Sequence, residues 1–350
     1  MSGLSYSRVG VDTDAAAKEV GSLARVLAAT ASLRSGPGQP LGENGYFASA
    51  VRLTDELALA LCTDGVGSKL LVAEGMGRYD TVGIDCVAMN VNDLICLGAE
   101  PLCMVDYVGI ESLGTGVLEQ IAKGLLEGAR QARISIPGGE TAQLPEIIKG
   151  ARPGSGLDLV GTAVGTVRMD RINTGKHVRP GDVIVGLRSS GLHSNGYTLA
   201  RRALLDPEHG GYGLDTHLDE LGRTVGEELL QPTRIYVAEI LALLEAGIDC
   251  KALVHITGDG LRNLTRVAAP VGFKIDSLPP PPPVFGLIQR AGDVSREEMF
   301  RVFNMGIGFC IVLDPADVGR ASEIVQKHGA GPHVIGHATD GPAGRIDIDA

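Results

Sequence analysis

Apolar runs closed by glycine or proline alternate along this chain with stretches whose apolar positions recur every three or four residues. Leu57 to Leu61 is a continuous apolar run and predicts a buried strand that leads straight into Thr63-Asp64-Gly65. Thr81 to Leu97 has helical spacing. On that helix Asp85, Met89 and Asn92 share one face, and Asn90 and Asp93 are neighbours at i and i+3. Asp14 to Ala31 predicts an earlier helix, followed by a Gly/Pro-rich loop from Ser35 to Gly42 that serves as a lid or as a plain connection. Pro101 to Ile110 and Leu157 to Val167 read as strands, with an amphipathic helix from Gly114 to Ala132 and a glycine turn at Gly138 to Thr141 between them. The second half predicts strands at Val183 to Leu187, Gly306 to Leu313 and His333 to Gly336. Its helices end at Leu205, span Pro232 to Ala246, end at Ala268, and span Ala316 to His328. Pro279 to Pro283 must be extended chain, and a rigid spacer is its expected role.

Strands and helices alternate in both halves, so the fold class is α/β (α+β) with two domains. A polar, basic stretch from Arg168 to Pro180 places the boundary near Asp170, dividing the chain into 1–170 and 171–350. A length of 350 residues agrees with two cores of middling size. Gly accounts for 49 residues, about twice the usual share, which calls for many turns or close backbone approaches. The net charge of −11 argues against nucleic acid and against an anionic membrane as partners. It leaves room for a phosphorylated small molecule if a metal and a local basic group supply positive charge. No cysteine pair has C-x-x-C spacing, and no run reaches membrane-spanning length, so a cytoplasmic protein with reduced thiols is expected.

The chemistry follows from where the carboxylates fall. Asp64 stands at a strand end on a turn whose Gly65 and Gly67 leave backbone N–H groups open to a ligand. Asp93 sits on an apolar helix. Burying both without partners costs several kcal/mol, on the order expected for unpaired ions, and a cation bound through oxygen resolves that cost; oxygen ligands point to Mg2+. Lys69 follows the glycine turn, as a phosphate contact or as a solvated side chain. Gly138, Gly139, Glu140 and Thr141 offer a second candidate turn. No G-x-x-x-x-G-K-[ST] loop occurs, and Gly36-Pro37-Gly38 lacks the strand and helix of a dinucleotide fingerprint, so any nucleotide site is distributed. His193 lies in the loop Ser189 to Tyr197, and His255 precedes Thr257-Gly258-Asp259-Gly260. Each is read either as part of an anion or proton-transfer site or as a structural histidine.

Eight segments then appear in order: Tyr6 to Asp14 (YSRVGVDTD), Thr63 to Lys69 (TDGVGSK), Asp80 to Pro101, Gly138 to Pro145 (GGETAQLP), Ser189 to Tyr197 (SSGLHSNGY), Pro232 to Val237 (PTRIYV), His255 to Gly260, and Glu298 to Gly308 (EMFRVFNMGIG). Together they closely resemble the phosphoribosylformylglycinamidine cyclo-ligase, or aminoimidazole ribonucleotide synthetase, family over nearly the whole chain. The resemblance implies ATP- and Mg2+-dependent closure of formylglycinamidine ribonucleotide to 5-aminoimidazole ribonucleotide in purine synthesis. It implies a homodimer whose N-terminal sheets pair across the interface, with an ATP-binding domain before a larger substrate-side α/β domain. By motif matching, Asp64 and Asp93 are the metal–phosphate carboxylates, and Lys69 with Gly138 to Thr141 lie on the nucleotide side. Ser190, His193, Asn195, His255 and Thr257 face the ribotide, with His193 as the chosen base or acid.

Three positions depart from the family pattern. Leu41 to Phe47 lacks the usual glycine-rich form, Gln143 replaces a common Glu, and Asp259 replaces a common Gly beside the proposed phosphate site, where it would repel an anion unless a metal or Arg262 compensates. The alternatives are a selenophosphate synthetase, thiamine-monophosphate kinase or hydrogenase-maturation type of enzyme, or a non-catalytic nucleotide-binding regulator. No cysteine precedes Cys62, which counts against the first.

Overall fold

In the computed structural model, which describes residues 3–42, 46–114 and 116–349, the run at Leu57 lies inside a sheet. Pro40–Leu41 (β1) and Ser49–Arg52 (β2) pair ahead of Leu57–Gly65 (β3), then come Glu100–Ile110 (β4), Ser135–Gln143 (β5) and Leu157–Arg168 (β6). Their order in the sheet is β1-β2-β3-β6-β4-β5, antiparallel except that β5 runs parallel to β4. Alternation on β3 buries Ala58, Ala60 and Cys62 beneath the helices. Thr13–Leu27 (α1) starts at Asp12, whose side chain caps Ala15; Leu70–Met76 (α2), Val82–Cys96 (α3) and Val117–Ala132 (α4) follow.

α3 is apolar nearly all round, and all but Asp93 of its residues are buried, as the helix lies between the sheet, α4 and the second half of the chain. Glycine makes the approach of α4 possible. A Cβ at Gly124 would stand 2.5 Å from the Asp80 carbonyl and 2.9 Å from the Gly83 nitrogen, and one at Gly83 would meet the Leu125 nitrogen at 2.3 Å.

The second half forms its own six-stranded sheet from Val183–Arg188 (β7), Ala252–His255 (β10), Gly272–Ile275 (β11), Ile307–Leu313 (β12), Pro332–Thr339 (β13) and Ile346–Ile348 (β14), in the order β10-β12-β7-β13-β11-β14. A short hairpin, His217–Leu218 (β8) with Arg223–Thr224 (β9), stands apart. The helices are Tyr197–Leu205 (α5), Val225–Leu229 (α6), Val237–Glu245 (α7), Pro283–Ala291 (α8), Arg296–Val302 (α9) and Val318–Lys327 (α10). Met169 to Asp182 joins the two sheets without a strand.

Several expectations change. Gly138 to Thr141 is not a turn but the middle of β5, whose residues are largely exposed at the sheet edge. The helix expected from Pro232 begins only at Val237, because Thr233, Arg234 and Tyr236 give backbone groups to α3. The helix expected to end at Ala268 is a 3₁₀ segment, Gly260–Arg266. Residues 3–13 belong in sequence to the N-terminal half yet lie against the C-terminal one. The Leu4 N–H donates to Gly292, that of Tyr6 to Glu298, and Arg301 donates to Thr13. Glu43 to Gly45 of the altered glycine segment fall outside the described residues. Among the described residues no helix is long and apolar enough to cross a membrane.

Because the α3–α4 crossing has no room for a methyl group, Gly124→Ala is expected to cost about 1–3 kcal/mol by overpacking. Chemical denaturation measures this, and an unchanged midpoint would mean the crossing tolerates the added atom.

Candidate functional site

Four polar side chains of α3 dock three segments, and the site is assembled from those dockings. Asn90 accepts from the Asp64 N–H at 3.0 Å and donates to its carbonyl at 3.1 Å, which fixes the end of β3. Asn92 accepts from Tyr236 N–H and donates to the Arg234 carbonyl. Asp85 accepts from both the N–H and the hydroxyl of Thr233, at 2.7 and 2.6 Å. Asp93 meets His255 Nδ1 at 2.8 Å and accepts a longer contact from the Cys62 thiol at 3.6 Å.

Lys69 takes a different position from the one expected. Its side chain is fully buried, and Nζ lies 2.9 and 2.8 Å from the two Asp85 oxygens, while donating also to the carbonyls of His193 and Gln231. An ammonium has three N–H groups, and all three are used inside the protein. Lys69 therefore ties the glycine turn, α3 and two loops of the second half together, with no donor left for a phosphate.

The loop Ser189 to Gly196 is held from several sides. Asn304 donates to the carbonyls of Gly191 and Leu192 and accepts from the Ser189 hydroxyl. Ser190 donates through its hydroxyl to the Pro232 carbonyl. His193 has φ +66, a left-handed conformation that is unusual outside glycine. Its Nε2 accepts from the Ser190 N–H at 3.3 Å, so the proton of the neutral ring sits on Nδ1, which is buried without a partner. Burial, then the nearby charges of His255, Lys69 and Arg234, push this imidazole well below its usual pKa. Gly308 leaves space for the ring, since a Cβ there would stand 2.4 Å from His193 Cε1.

His255 presents the opposite arrangement. Asp93 takes the Nδ1 proton, which leaves the lone pair on Nε2, and that atom is buried and unpartnered. Asn195 reaches the Met89 sulfur on α3 and lies close to Gly258, while Thr257 gives both its N–H and its hydroxyl to Asn263. Asp64, Asp93, His193, Asn195 and His255 thus converge between the two halves. Gly138 to Thr141 do not join them. A pairing row runs Asp64, Gly161, Asp106, Gly139 across the sheet, so Gly139 is three strands, about 14 Å, from Asp64. The cation that Asp259 meets is Arg266, at 3.9 Å, and not Arg262, one of the two compensations expected. Arg266 also covers the Phe47 ring at 4.8 Å. The docking roles of Thr233 and Asn304 were missed from sequence because an amide or hydroxyl in a loop carries no local mark of its distant partner.

Burial and then the charge of Asp93 push the Asp64 carboxyl up to about 6. Among the described residues no group of three or more His, Cys, Asp or Glu side chains is arranged to enclose a metal. Two like-charged carboxylates that burden each other still suit Mg2+, which binds through one or two carboxylates together with substrate phosphates.

The N-terminal domain model "AIR synthase related protein" matches residues 45–167 and the corresponding C-terminal domain model matches 179–349. A phosphoribosylformylglycinamidine cyclo-ligase from Methanobrevibacter smithii is 45% identical over 337 residues, covering 96% of this chain and 95% of that one. The protein of that name from Methanothermobacter thermautotrophicus is 48% identical over the same length, with the same coverage of each chain. Among solved structures, a thiamine-monophosphate kinase from Stenotrophomonas maltophilia K279a aligns with a TM-score of 0.60 at 21% identity, covering 92% of this chain and 94% of that one. T. maritima PurL complexed with ADP aligns at 0.57 and 18% identity; 87% of this chain is covered but only 43% of that longer one. At these identities the two structures share the fold.

Two outcomes follow from the geometry. Lys69→Met leaves Asp85 as an uncompensated buried charge and is expected to cost about 3–5 kcal/mol of stability, read by denaturant unfolding. A loss below about 1 kcal/mol would show that Lys69 is not a strut. For Asp64, the folded pKa of about 6 lies above the unfolded value near ~3.9, so the folded protein holds a proton that the unfolded chain releases between them. Ionised Asp64 therefore lowers stability above about pH 6 when no cation is bound. Asp64→Asn is expected to raise the melting temperature in chelator at about pH 8, with the gain fading toward about pH 4. Equal gain at both ends would remove the carboxylate charge as its cause.

Proposed function

The chain belongs to the phosphoribosylformylglycinamidine cyclo-ligase family, and from that premise we propose how its own residues carry the reaction. It is an ATP-dependent ligase that closes formylglycinamidine ribonucleotide to 5-aminoimidazole ribonucleotide in purine biosynthesis. The obstacle is the formyl oxygen, a poor leaving group. ATP enters as co-substrate and its γ-phosphoryl passes to that oxygen; the neighbouring nitrogen attacks the same carbon, the ring closes, and phosphate departs while ADP remains. No enzyme nucleophile is required.

The nucleotide lies along the turn from Asp64 to Gly67. Asp64 and Asp93 would hold Mg2+, which when bound supplies positive charge against the phosphates. Ser190, Asn195 and Thr257 orient the ribotide. For the proton lost by the closing ring, the geometry supports His255 in preference to His193. Its free nitrogen is the basic one and Asp93 orients the ring, whereas the basic nitrogen of His193 already accepts from Ser190. The exposed edge of β5, beside an apolar cleft under α4, suits pairing with a second copy as a homodimer. Free cysteines, five of the six buried, suit a cytoplasmic setting.

The observation that carries this reading is the meeting of Asp64, Asp93 and His255 in a chain 45–48% identical to cyclo-ligases along almost their full length. Purified protein with ATP and Mg2+ is expected to release ADP only when formylglycinamidine ribonucleotide is added, with aminoimidazole ribonucleotide formed in equal amount. ADP release at the same rate without the ribotide would exclude the reaction. His255→Asn is expected to lower kcat by about 10²–10⁴ while KM for ATP holds, and an unchanged kcat would place the proton elsewhere.

A further inference from the structure

A cleft of about 450 Å³ beside α5 is bounded by Val9, Thr198, Arg201, Arg202 and the corner at Asp206 and Pro207. Its two arginines differ. Arg202 is paired with Asp206 at 2.5 Å, and that carboxylate also accepts the Glu208 N–H. Arg201 is partly buried, and among the described residues no hydrogen bond or ion pair reaches its guanidinium. Burial and the neighbouring Arg202 hold its pKa below the usual arginine value, with Glu74 opposing. Glu74 is itself engaged, accepting from the Ala151 and Arg152 N–H groups and from the Ser155 hydroxyl. A partly desolvated cation beside a like charge, facing a cleft and lacking a carboxylate of its own, is a receptor for an anion.

The position of the cleft narrows the choice of anion. The Thr198 hydroxyl at its rim lies 3.3 Å from that of Ser68, which belongs to the glycine turn after Asp64. α5 starts directly after the Ser189–Gly196 loop, and Arg201 stands about 7.5 Å along the helix from Gly196. A ribose 5-phosphate can bridge such a span.

We propose that this cleft is a phosphate subsite, with Arg201 as its charged donor and Thr198 as its hydroxyl. The occupant is either the 5′-phosphate of the ribotide or the orthophosphate that the reaction releases. Naming these two rests on the cyclo-ligase reading, while the site itself does not.

Calorimetric titration of the full chain with ribose 5-phosphate and with orthophosphate is the first arm. Wild type is expected to bind at least one of them, Arg201→Gln about tenfold more weakly, and Arg201→Lys in between. Steady-state kinetics is the second arm. If the ribotide is the occupant, Arg201→Gln raises KM for the ribotide about tenfold and leaves kcat and KM for ATP in place. If orthophosphate is the occupant, KM stays and inhibition by added phosphate is lost. Absence of binding to wild type, or equal binding by the folded Gln variant, overturns the proposal. A wild-type protein without cyclo-ligase activity would sink the functional reading instead, since the titration needs no turnover.

Discussion

The fully buried pair of Lys69 and Asp85 is the constraint on which the rest depends. Two opposite charges wholly removed from the protein surface must satisfy one another and every remaining hydrogen-bonding position, or the fold loses several kcal/mol, on the order of a whole domain's margin. Here Thr233 and the carbonyls of His193 and Gln231 complete the shell. Each comes from a loop of the second half, while the ion pair belongs to the first. The interface between halves is thereby specified by charge satisfaction and not only by apolar contact. The same shell holds the backbone of His193 in its left-handed conformation.

α3 carries this logic further. An apolar helix that also presents Asp85, Asn90, Asn92 and Asp93 can be buried only where four distinct partners wait for it. It finds them in the Thr233 and Tyr236 segment, the end of β3 and His255. Asp93 stands where it does because its helix is held by Asn92, and Asp64 because Asn90 of the same helix fixes the end of β3. The two histidines then divide by tautomer. The one bonded to a carboxylate keeps a basic nitrogen free, while the one bonded to a backbone N–H does not.

Much of this was legible in the chain. The strand at Leu57, the helix at Thr81 and the two faces of that helix follow from periodicity, and the motifs led to the family. What could not be read were relationships across distance. A lysine after a glycine turn has the same local signature whether it meets a phosphate or a buried aspartate 16 residues on. Gly138-Gly139 has turn chemistry, but strand pairing with β4 overrode it, with Gly139 lying where a Cβ would come within 2.5 Å of an Asp106 oxygen. The four-residue strand Ala252–His255 was too short to declare itself, and the backbone of Thr233 to Tyr236 was drawn away from a helix by α3.

The packing of residues 3–13 on α8 and α9 changes what motion the two halves allow. Chain passes between them not once but twice, at the amino-terminal arm and again at Met169 to Asp182. A body joined by a single strand can swing about any axis through it, whereas two separated tethers leave one free direction, the rotation about the line between them. Rotation about that line would also have to break the bonds of Lys69, Asp85 and Asn92 that cross between the halves.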